Sequence, residues 1–245
     1  MLLQCWVVSR TDHIDRTGHI DRTVTIDRSG HDHGSDQVAV LVPVKSFGAA
    51  KARLTSSVSP DARRALARWM AGRVVAAAAP LPVFVACDDD EVAEWADGLG
   101  AAVLWSPGLG LNGAVDDGVA TMAGKGIDHV VISHGDLPLA TSLADVARPD
   151  TVVLVPDRRR DGTNVLARPT AIDLPASYGA GSFGRHLRHA MRADVAVMVR
   201  IDAELSLDLD TVRDLHHPMV WPHVRAIVEQ HRTDQERTDQ GHPSR

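Results

Sequence analysis

The chain is poor in several features that mark large protein classes. It has 2 cysteines and 4% aromatic residues, and no apolar run approaches the roughly 20 residues that cross a bilayer. Cys5 and Cys87 are too few for a disulfide framework and too far apart for a zinc spacing, so we expect a reducing, cytoplasmic location. A basic excess is missing too, since the net charge is -6. We therefore expect neither nucleic acid nor a membrane as a partner.

What the chain does have is enough apolar sequence for one sizeable core. Its 245 residues are 44% hydrophobic and 24% charged, which is typical of a globular protein. Both ends are polar and repetitive, with an IDR repeat within residues 10–36 and an RTDQ repeat near the end. We predict a low-complexity, disordered tail over residues 1–36, one folded domain over 37–230 and a polar tail over 231–245.

Within residues 37–230, short β-branched runs alternate with alanine-rich helical patterns. This alternation predicts an α/β fold, Rossmann-like, with one mixed and mostly parallel sheet and helices on both faces. The predicted strands include 38–44, 82–87, 101–106, 129–134 and 151–156, and one more strand is predicted on each side of a helix GSFGRHLRHAMRA. Ligands of such sheets bind beyond the carboxyl ends of the strands, so the loops there are the candidates for chemistry.

Two of these loops have features of nucleotide sites. Lys45, Lys51 and Arg53 follow the first strand, and their positive charges suit a polyphosphate, although an ordinary solvated loop has the same composition. The segment 108–113 spells G-x-G-x-x-G, the dinucleotide fingerprint. It follows the third strand rather than the first, however, so Asn112 could equally hold a base or a ribose.

Three acids are candidates for a metal site. Asp136 follows the fourth strand, and Asp208 and Asp210 point to one side if their segment is extended. Carboxylates together with phosphate oxygens suit Mg²⁺. Helix capping is the alternative for Asp210. If the acids converge they need a cation, since carboxylates raise one another's pKa.

Two glycine-containing segments complete the set. Thr163 lies in a tight turn after the fifth strand, and Gly179 and Ser182 lead into a helix, whose free backbone N–H groups suit an anion. Ser182 could instead be a simple helix cap. His186 lies one helical turn further on, on the same face as Ser182.

In this order, the segments VPVKSFGAAKARL, DDDEVAEWA, GLGLNGAVDDG, SHGDLPLA, DGTN, YGAGSFGRH and LDLDT resemble one family. It is the guanylyltransferase family of coenzyme F-420 biosynthesis, which acts on phosphoenolpyruvate or 2-phospho-L-lactate. The resemblance spans residues 38–216 and implies a nucleotide-diphospho-sugar transferase-like fold.

The resemblance also implies roles for individual residues. It implies that the acceptor is bound by Thr163, Gly179 and Ser182, that Mg²⁺ is held by Asp136, Asp208 and Asp210, and that GTP is bound by Lys45, Lys51, Arg53 and Asn112. Lys45, Lys51 and Asp136 would be the catalytic residues.

The expected reaction joins GMP from GTP to the phosphate of a small phosphorylated carboxylic acid and releases pyrophosphate. No protein nucleophile is required, because such transfers depend on positioning and charge neutralisation. The product would pass to the enzyme that joins it to the deazaflavin precursor. Phosphoenolpyruvate, 2-phospho-L-lactate and 3-phosphoglycerate stay open as acceptors, and a homodimer stays open as the assembly. The alternatives are a nucleotidyltransferase for a sugar phosphate or a molybdenum cofactor, a nicotinamide-dependent oxidoreductase and a non-catalytic GTP-binding module.

Overall fold

A seven-stranded mixed sheet lies at the centre of the computed structural model, which describes the backbone of residues 8–14, 20–26 and 37–240 and the side chains of residues 37–232. Its strand order is β5-β4-β3-β6-β8-β7-β9. The strands are β3 (Val38–Pro43), β4 (Val83–Cys87), β5 (Ala102–Trp105), β6 (His129–Ser133), β7 (Thr151–Pro156), β8 (Thr163–Pro169) and β9 (Ala196–Val199). β8 is antiparallel to both of its neighbours, and the other adjacent pairs are parallel. The predicted mixed, mostly parallel sheet is therefore confirmed.

Helices cover both faces of this sheet. They are α1 (Pro60–Ala77), α2 (Asp90–Gly98), α3 (Gly110–Gly124), α4 (Ser182–Arg192), α5 (Val212–Leu215) and α6 (Trp221–Gln240). Along β3, Val40 and Val42 pack into the cluster that holds α1 and α2, while Leu41 packs into the cluster that holds α3 and α4. This alternation follows from the two-residue period of a strand that is buried on both faces.

Local sequence explains where the first two of these helices begin. Ser59 accepts a hydrogen bond from the backbone N–H of Ala62, and Pro60 is the first residue of α1. Asp89 caps α2 in the same way through the N–H of Val92. In both helices the oxygen of the cap side chain satisfies a backbone N–H that the first turn leaves open.

α6 differs from the predicted domain boundary at residue 230, because the helix continues to Gln240. Residues 231–240 include two Gln, two Arg and one Glu, which have high helix propensity even without an apolar face. Val220 and Val224 anchor the start of α6 in a third apolar cluster, shared with α1 and with Leu207 and Leu209. None of the described helices is long and apolar enough to cross a bilayer.

The N-terminal segment also differs from its prediction as a disordered tail. β1 (Val8–Ile14) pairs with β2 (Ile20–Ile26) as an antiparallel sheet of its own. The second half of β2, from Thr23 to Ile26, alternates polar and apolar residues, which is the strand period. The rest of residues 1–36 lies outside the described residues.

Candidate active site

Several candidate segments meet at one edge of the sheet. β6 ends just before Asp136, and β8 begins with Thr163 at the same edge because the two strands are antiparallel. The backbone N–H of Leu209 donates to the carbonyl of Asp136 at 3.1 Å, which attaches the segment with Asp208 and Asp210 to the end of β6. The structure therefore brings the metal candidates and an acceptor candidate to one edge, as expected for an α/β sheet.

Lys51 connects two of the predicted metal ligands. Its Nζ lies 2.7 Å from Oδ2 of Asp136 and 3.0 Å from Oδ1 of Asp210. The ammonium therefore bridges the two carboxylates and keeps them close together. The Lys51 side chain is only 8% exposed. Burial by itself would lower the pKa of Lys51, but Asp136 and Asp210 outweigh burial and raise the pKa above its ordinary value. Lys51 is therefore a fixed positive charge in the site.

Asp208 joins the same group of charges. Leu207 and Leu209 are buried in the third apolar cluster, so Asp208 and Asp210 share the other side of their extended segment. Burial and the negative charges of Asp136 and Asp210 raise the pKa of Asp208 to about 6. The capping alternative for Asp210 is wrong, because Thr211 caps α5 in a reciprocal capping box with Asp214.

The side chains of this cluster offer carboxylate oxygens, the ligand type that Mg²⁺ prefers. Oδ1 of Asp136 is buried and has no hydrogen-bond partner among the described residues. Two carboxylates, those of Asp136 and Asp210, contact the buried ammonium of Lys51, and the exposed Arg53 reaches Asp210 at 3.6 Å. Within residues 37–232, no three His, Cys, Asp or Glu side chains are arranged around one ion position. Instead, the Lys51 ammonium occupies the space between Asp136 and Asp210.

The three predicted acceptor residues also converge. The backbone N–H of Thr163 donates to Oγ of Ser182 at 3.0 Å, and the N–H of Ser182 donates to the carbonyl of Gly179 at 3.0 Å. Gly179 has a φ of 110°, which side chains rarely adopt. Gly181 is the N-cap of α4, so Ser182 is not the helix cap that was its alternative. Asp161 already accepts from the backbone N–H groups of Gly181 and Phe183, so these groups are not free for an anion.

His186, to which the sequence assigned no role, lies under this cluster and is 0% exposed. Its Nδ1 lies 3.0 Å from Oγ1 of Thr163, and its Nε2 lies 3.0 Å from the backbone N of Ser177. Burial lowers the pKa of His186 to about 4, so the ring is neutral at pH 7. The ring of Tyr178 lies between His186 and His134, with centroid distances of 4.8 and 5.0 Å. These three rings connect Thr163, which contacts His186, to the end of β6, where Asp136 lies close to His134.

Arg185 is a site residue that the sequence analysis missed. Its guanidinium donates to the carbonyl of Ser177 at 2.8 Å and also to the carbonyl of Ala180. These contacts hold the glycine-rich turn in front of α4. An arginine in the first turn after a glycine loop is a weak sequence signal, because the same pattern is common on helix surfaces.

Of the predicted nucleotide residues other than Lys51, two are exposed and one holds a loop. Lys45 is exposed, and the Arg53 side chain is 75% exposed. The side-chain oxygen of Asn112 accepts from the backbone N–H of Tyr178 at 2.7 Å, and its amide nitrogen faces the Tyr178 carbonyl at 3.5 Å. Asn112 therefore holds the loop at Tyr178, next to the predicted acceptor residue Gly179. Its contact with guanosine stays a prediction. The G-x-G-x-x-G segment follows β5, which lies at the edge of the seven-stranded sheet and is the third of its strands in chain order.

Comparison with known proteins identifies the family. A family model described as "Guanylyl transferase CofC like" matches residues 38–226. The chain belongs to this CofC-like family. It is 38% identical to a phosphoenolpyruvate guanylyltransferase from Rubrobacter xylanophilus over 187 residues, covering 73% of this chain and 91% of that protein. It is 32% identical to a 2-phospho-L-lactate guanylyltransferase from Methanothermobacter thermautotrophicus over 187 residues, covering 73% and 82%.

Solved structures show the same fold for this CofC-like chain. A Desulfovibrio desulfuricans structure described as a nucleotide-diphospho-sugar transferase aligns with a TM-score of 0.60 at 17% identity, covering 80% of this chain and 98% of the other. A nucleotidyl transferase from Methanothermobacter thermautotrophicus aligns with a TM-score of 0.56 at 15% identity, covering 78% and 100%. The resemblance read from the sequence and the predicted nucleotide-diphospho-sugar transferase-like fold are thus confirmed. The chain is an enzyme of the nucleotidyltransferase type.

Proposed function

We propose that this chain transfers GMP from GTP to the phosphate of phosphoenolpyruvate. An oxygen of the acceptor phosphate attacks the α-phosphorus of GTP, the bond from that phosphorus to the α,β-bridging oxygen breaks, and pyrophosphate leaves with the electron pair. The acceptor phosphate is anionic at neutral pH, so no general base is needed. The observation that most directly supports this reaction is Lys51 between Asp136 and Asp210, at the sheet edge where Thr163 meets Ser182.

The positively charged residues act on the triphosphate. Lys51 is held by two carboxylates, so its ammonium is positioned before GTP arrives. Charge on the leaving pyrophosphate is neutralised by such fixed groups without reorganisation. Lys45 and Arg53 are exposed in the same connection between β3 and α1 as Lys51, and in this proposal they reach the outer phosphates.

Asp136, Asp208 and Asp210 would hold Mg²⁺. When bound, the ion supplies positive charge to the phosphate oxygens. The raised pKa of Asp208, about 6, reflects carboxylates crowded by burial and by one another, which is the environment that a cation relieves.

The acceptor binds at Thr163, Gly179 and Ser182. The Ser182 oxygen accepts a hydrogen bond from the Thr163 backbone, so its hydroxyl proton remains for an anionic ligand. Hydrogen bonds from hydroxyl groups to charged oxygens are among the stronger ones. The two ends of a phosphorylated acid, a carboxylate and a phosphate, both suit such donors.

The choice of phosphoenolpyruvate follows from the name of the Rubrobacter relative, the more similar of the two reported above. Phosphoenolpyruvate and 2-phospho-L-lactate differ only at the carbon that bears the methylene or methyl group, which an apolar wall separates weakly. The proposal places the reaction in coenzyme F-420 biosynthesis. The product then passes to the enzyme that joins it to the deazaflavin precursor.

An acceptor panel tests this function. Purified protein is mixed with GTP and Mg²⁺, and pyrophosphate is measured with phosphoenolpyruvate, 2-phospho-L-lactate, 3-phosphoglycerate or glucose 1-phosphate, with ATP replacing GTP as the nucleotide control. The proposal expects pyrophosphate release that depends on phosphoenolpyruvate and prefers GTP. Release only with glucose 1-phosphate, or none with any acceptor, would contradict it.

A further inference from the structure

The ring of His186 and the hydroxyl of Thr163 form a buried pair on the acceptor side of the site. His186 is 0% exposed and Thr163 is 2% exposed, and Nδ1 lies 3.0 Å from Oγ1. On the other side of the ring, the backbone N–H of Ser177 lies 3.0 Å from Nε2. A backbone N–H can only donate, so Nε2 must be the nitrogen without a proton.

This contact fixes the tautomer of His186. A neutral imidazole with an unprotonated Nε2 has its proton on Nδ1, and that proton is donated to Oγ1 of Thr163. The ring is neutral at pH 7 because burial lowers the pKa of His186 to about 4. His189 and Arg185 on the same helix, and His134 just after β6, each lower the pKa of His186 further.

The hydrogen-bonding role of the Thr163 hydroxyl is thereby fixed. Its oxygen accepts from His186, so its own proton must be donated elsewhere. Among the described residues, we find no carbonyl or carboxylate oxygen that accepts this proton. The neighbouring hydroxyl of Ser182 also has its proton left to donate, because its oxygen accepts from the backbone N–H of Thr163.

We infer that His186 is a positioning residue, which orients the Thr163 hydroxyl to donate to an unprotonated carboxylate or phosphate oxygen of the acceptor. The inference rests on the proposed function and adds a selection rule to it. A ligand that presents N–H or O–H at this point would meet a second donor and lose the hydrogen bond. His186 touches Thr163 and Ser177 rather than the ligand, so it acts through the threonine.

Two amide substitutions separate this role from simple packing. In His186→Asn the amide nitrogen lies near the position of Nδ1 and still donates to Thr163. In His186→Gln the amide lies near the position of Nε2 and still accepts from Ser177, but the donor to Thr163 is lost. Both replace the ring by a smaller amide, so a purely structural role predicts similar effects from the two.

Steady-state kinetics with separate variation of the two substrates gives the readout. We expect His186→Gln to raise the KM for phosphoenolpyruvate by roughly tenfold, the usual size of one hydrogen bond to a charged group. The KM for GTP should not change, and His186→Asn should recover most of the affinity for phosphoenolpyruvate. In a Thr163→Val background, His186→Gln should have no further effect. Equal KM increases in the two His186 variants, or a parallel increase in the KM for GTP, would overturn the inference.

Two measurements decide the case even without turnover. ¹⁵N NMR of the full chain labelled at histidine, with His186→Asn to assign the signal, should show a neutral ring protonated at Nδ1 at pH 7. A ring protonated at Nε2, or a charged ring, would overturn the inference whatever the reaction. Calorimetry with phosphoenolpyruvate as the probe should show weaker binding to His186→Gln than to wild type, and equal affinities would overturn it. If both results are as expected but no pyrophosphate is released, the proposed function fails while the role of His186 stands.

Discussion

At the scale of single residues, the account depends most on Asp136. Its Oδ2 accepts a hydrogen bond from Lys51, and its Oδ1 is buried with no hydrogen-bond partner among residues 37–232. We expect Asp136→Asn to lower kcat by a factor on the order of 10² or more, because it removes one preorganised charge from the site. The measurement is pyrophosphate release with saturating GTP and phosphoenolpyruvate.

Asp117→Asn is the matched control, since Asp117 is an exposed acid on α3. It should retain wild-type kcat. Activity of Asp136→Asn within twofold of the control would remove Asp136 from the reaction centre.

Lys51 provides a test of the metal proposal that does not depend on activity. In Lys51→Met, Asp136 and Asp210 lose the ammonium between them and repel each other, so we expect the melting temperature to fall by several degrees without Mg²⁺. Added Mg²⁺ should then stabilise this variant more than the wild type, since an ion can replace the lost charge. Differential scanning calorimetry with and without the ion measures both effects.

Lys125→Met, at the end of α3, controls for loss of a lysine elsewhere. Equal stabilisation of wild type, Lys51→Met and Lys125→Met by Mg²⁺ would show that the ion does not bind among these carboxylates.

His186 should make the stability of the fold sensitive to acid. Its pKa falls from 6.5 to about 4 in the folded chain, so the unfolded chain binds the extra proton first as the pH is lowered. Its stabilising contribution is therefore complete above pH 6.5 and is lost as the pH falls towards 4. The total loss is on the order of 3 kcal/mol.

Urea unfolding at pH 7 and at pH 4.5 measures this dependence. Wild type should lose more stability between the two values than His186→Asn does. His223→Asn, an exposed histidine on α6, should behave like wild type. Identical pH dependence in wild type and His186→Asn would contradict the burial argument.

The sequence predicted some residue positions and missed others for physical reasons. Asp208 and Asp210 share a side because the leucines between and before them alternate into the core, and such a pattern is visible in the sequence. The contacts of Asn112 with Tyr178 and of Lys51 with Asp136 and Asp210 join distant parts of the chain, and local patterns contain no information about them. The role of His186 similarly depends on Ser177 and Thr163, which only the folded chain brings together.

At the scale of elements, α3 packs tightly against the sheet at Gly118. A Cβ built there would meet Cδ2 of Leu41 at 2.9 Å and Cδ1 of Leu104 at 3.4 Å. Leu41 is itself fully buried in β3 and has little room to move. We expect Gly118→Ala to destabilise the fold by about 1–3 kcal/mol through overpacking, measured by urea unfolding.

Gly124→Ala in the same helix is the comparison, because a Cβ there meets nothing within 4 Å. It should be neutral or slightly stabilising, since alanine is the better helix former. If Gly118→Ala were as stable as Gly124→Ala, α3 would not pack against β3 as described.

Element prediction succeeded where burial imposes a pattern. The central strands are short β-branched runs with turns on both sides, so their positions are confirmed to within about two residues, the usual boundary error. The predicted domain boundary at residue 230 falls inside α6, because the last turns of this helix have no apolar stripe to show a helical period. The β1–β2 pairing was missed because its alternation was interpreted as a low-complexity repeat.

At the scale of the whole molecule, the body of the enzyme should not need residues 1–36. The β1–β2 hairpin is a sheet of its own, and the family match begins at residue 38. A chain that starts at residue 37 should keep kcat and both KM values within about twofold, since truncation is tolerated where few contacts are lost. A large increase in the KM for GTP or phosphoenolpyruvate would instead show that the N-terminal segment completes the site.

The chemistry of the proposed transfer is tested most directly by an isotope experiment. Phosphoenolpyruvate labelled with ¹⁸O in its phosphate is incubated with GTP, Mg²⁺ and the full chain. The products are then separated, and their masses are measured by mass spectrometry. Attack by the acceptor phosphate on the α-phosphorus of GTP predicts an adduct of GMP and phosphoenolpyruvate that keeps all of the label, with unlabelled pyrophosphate. Label in pyrophosphate, or pyrophosphate without any such adduct, would contradict the account.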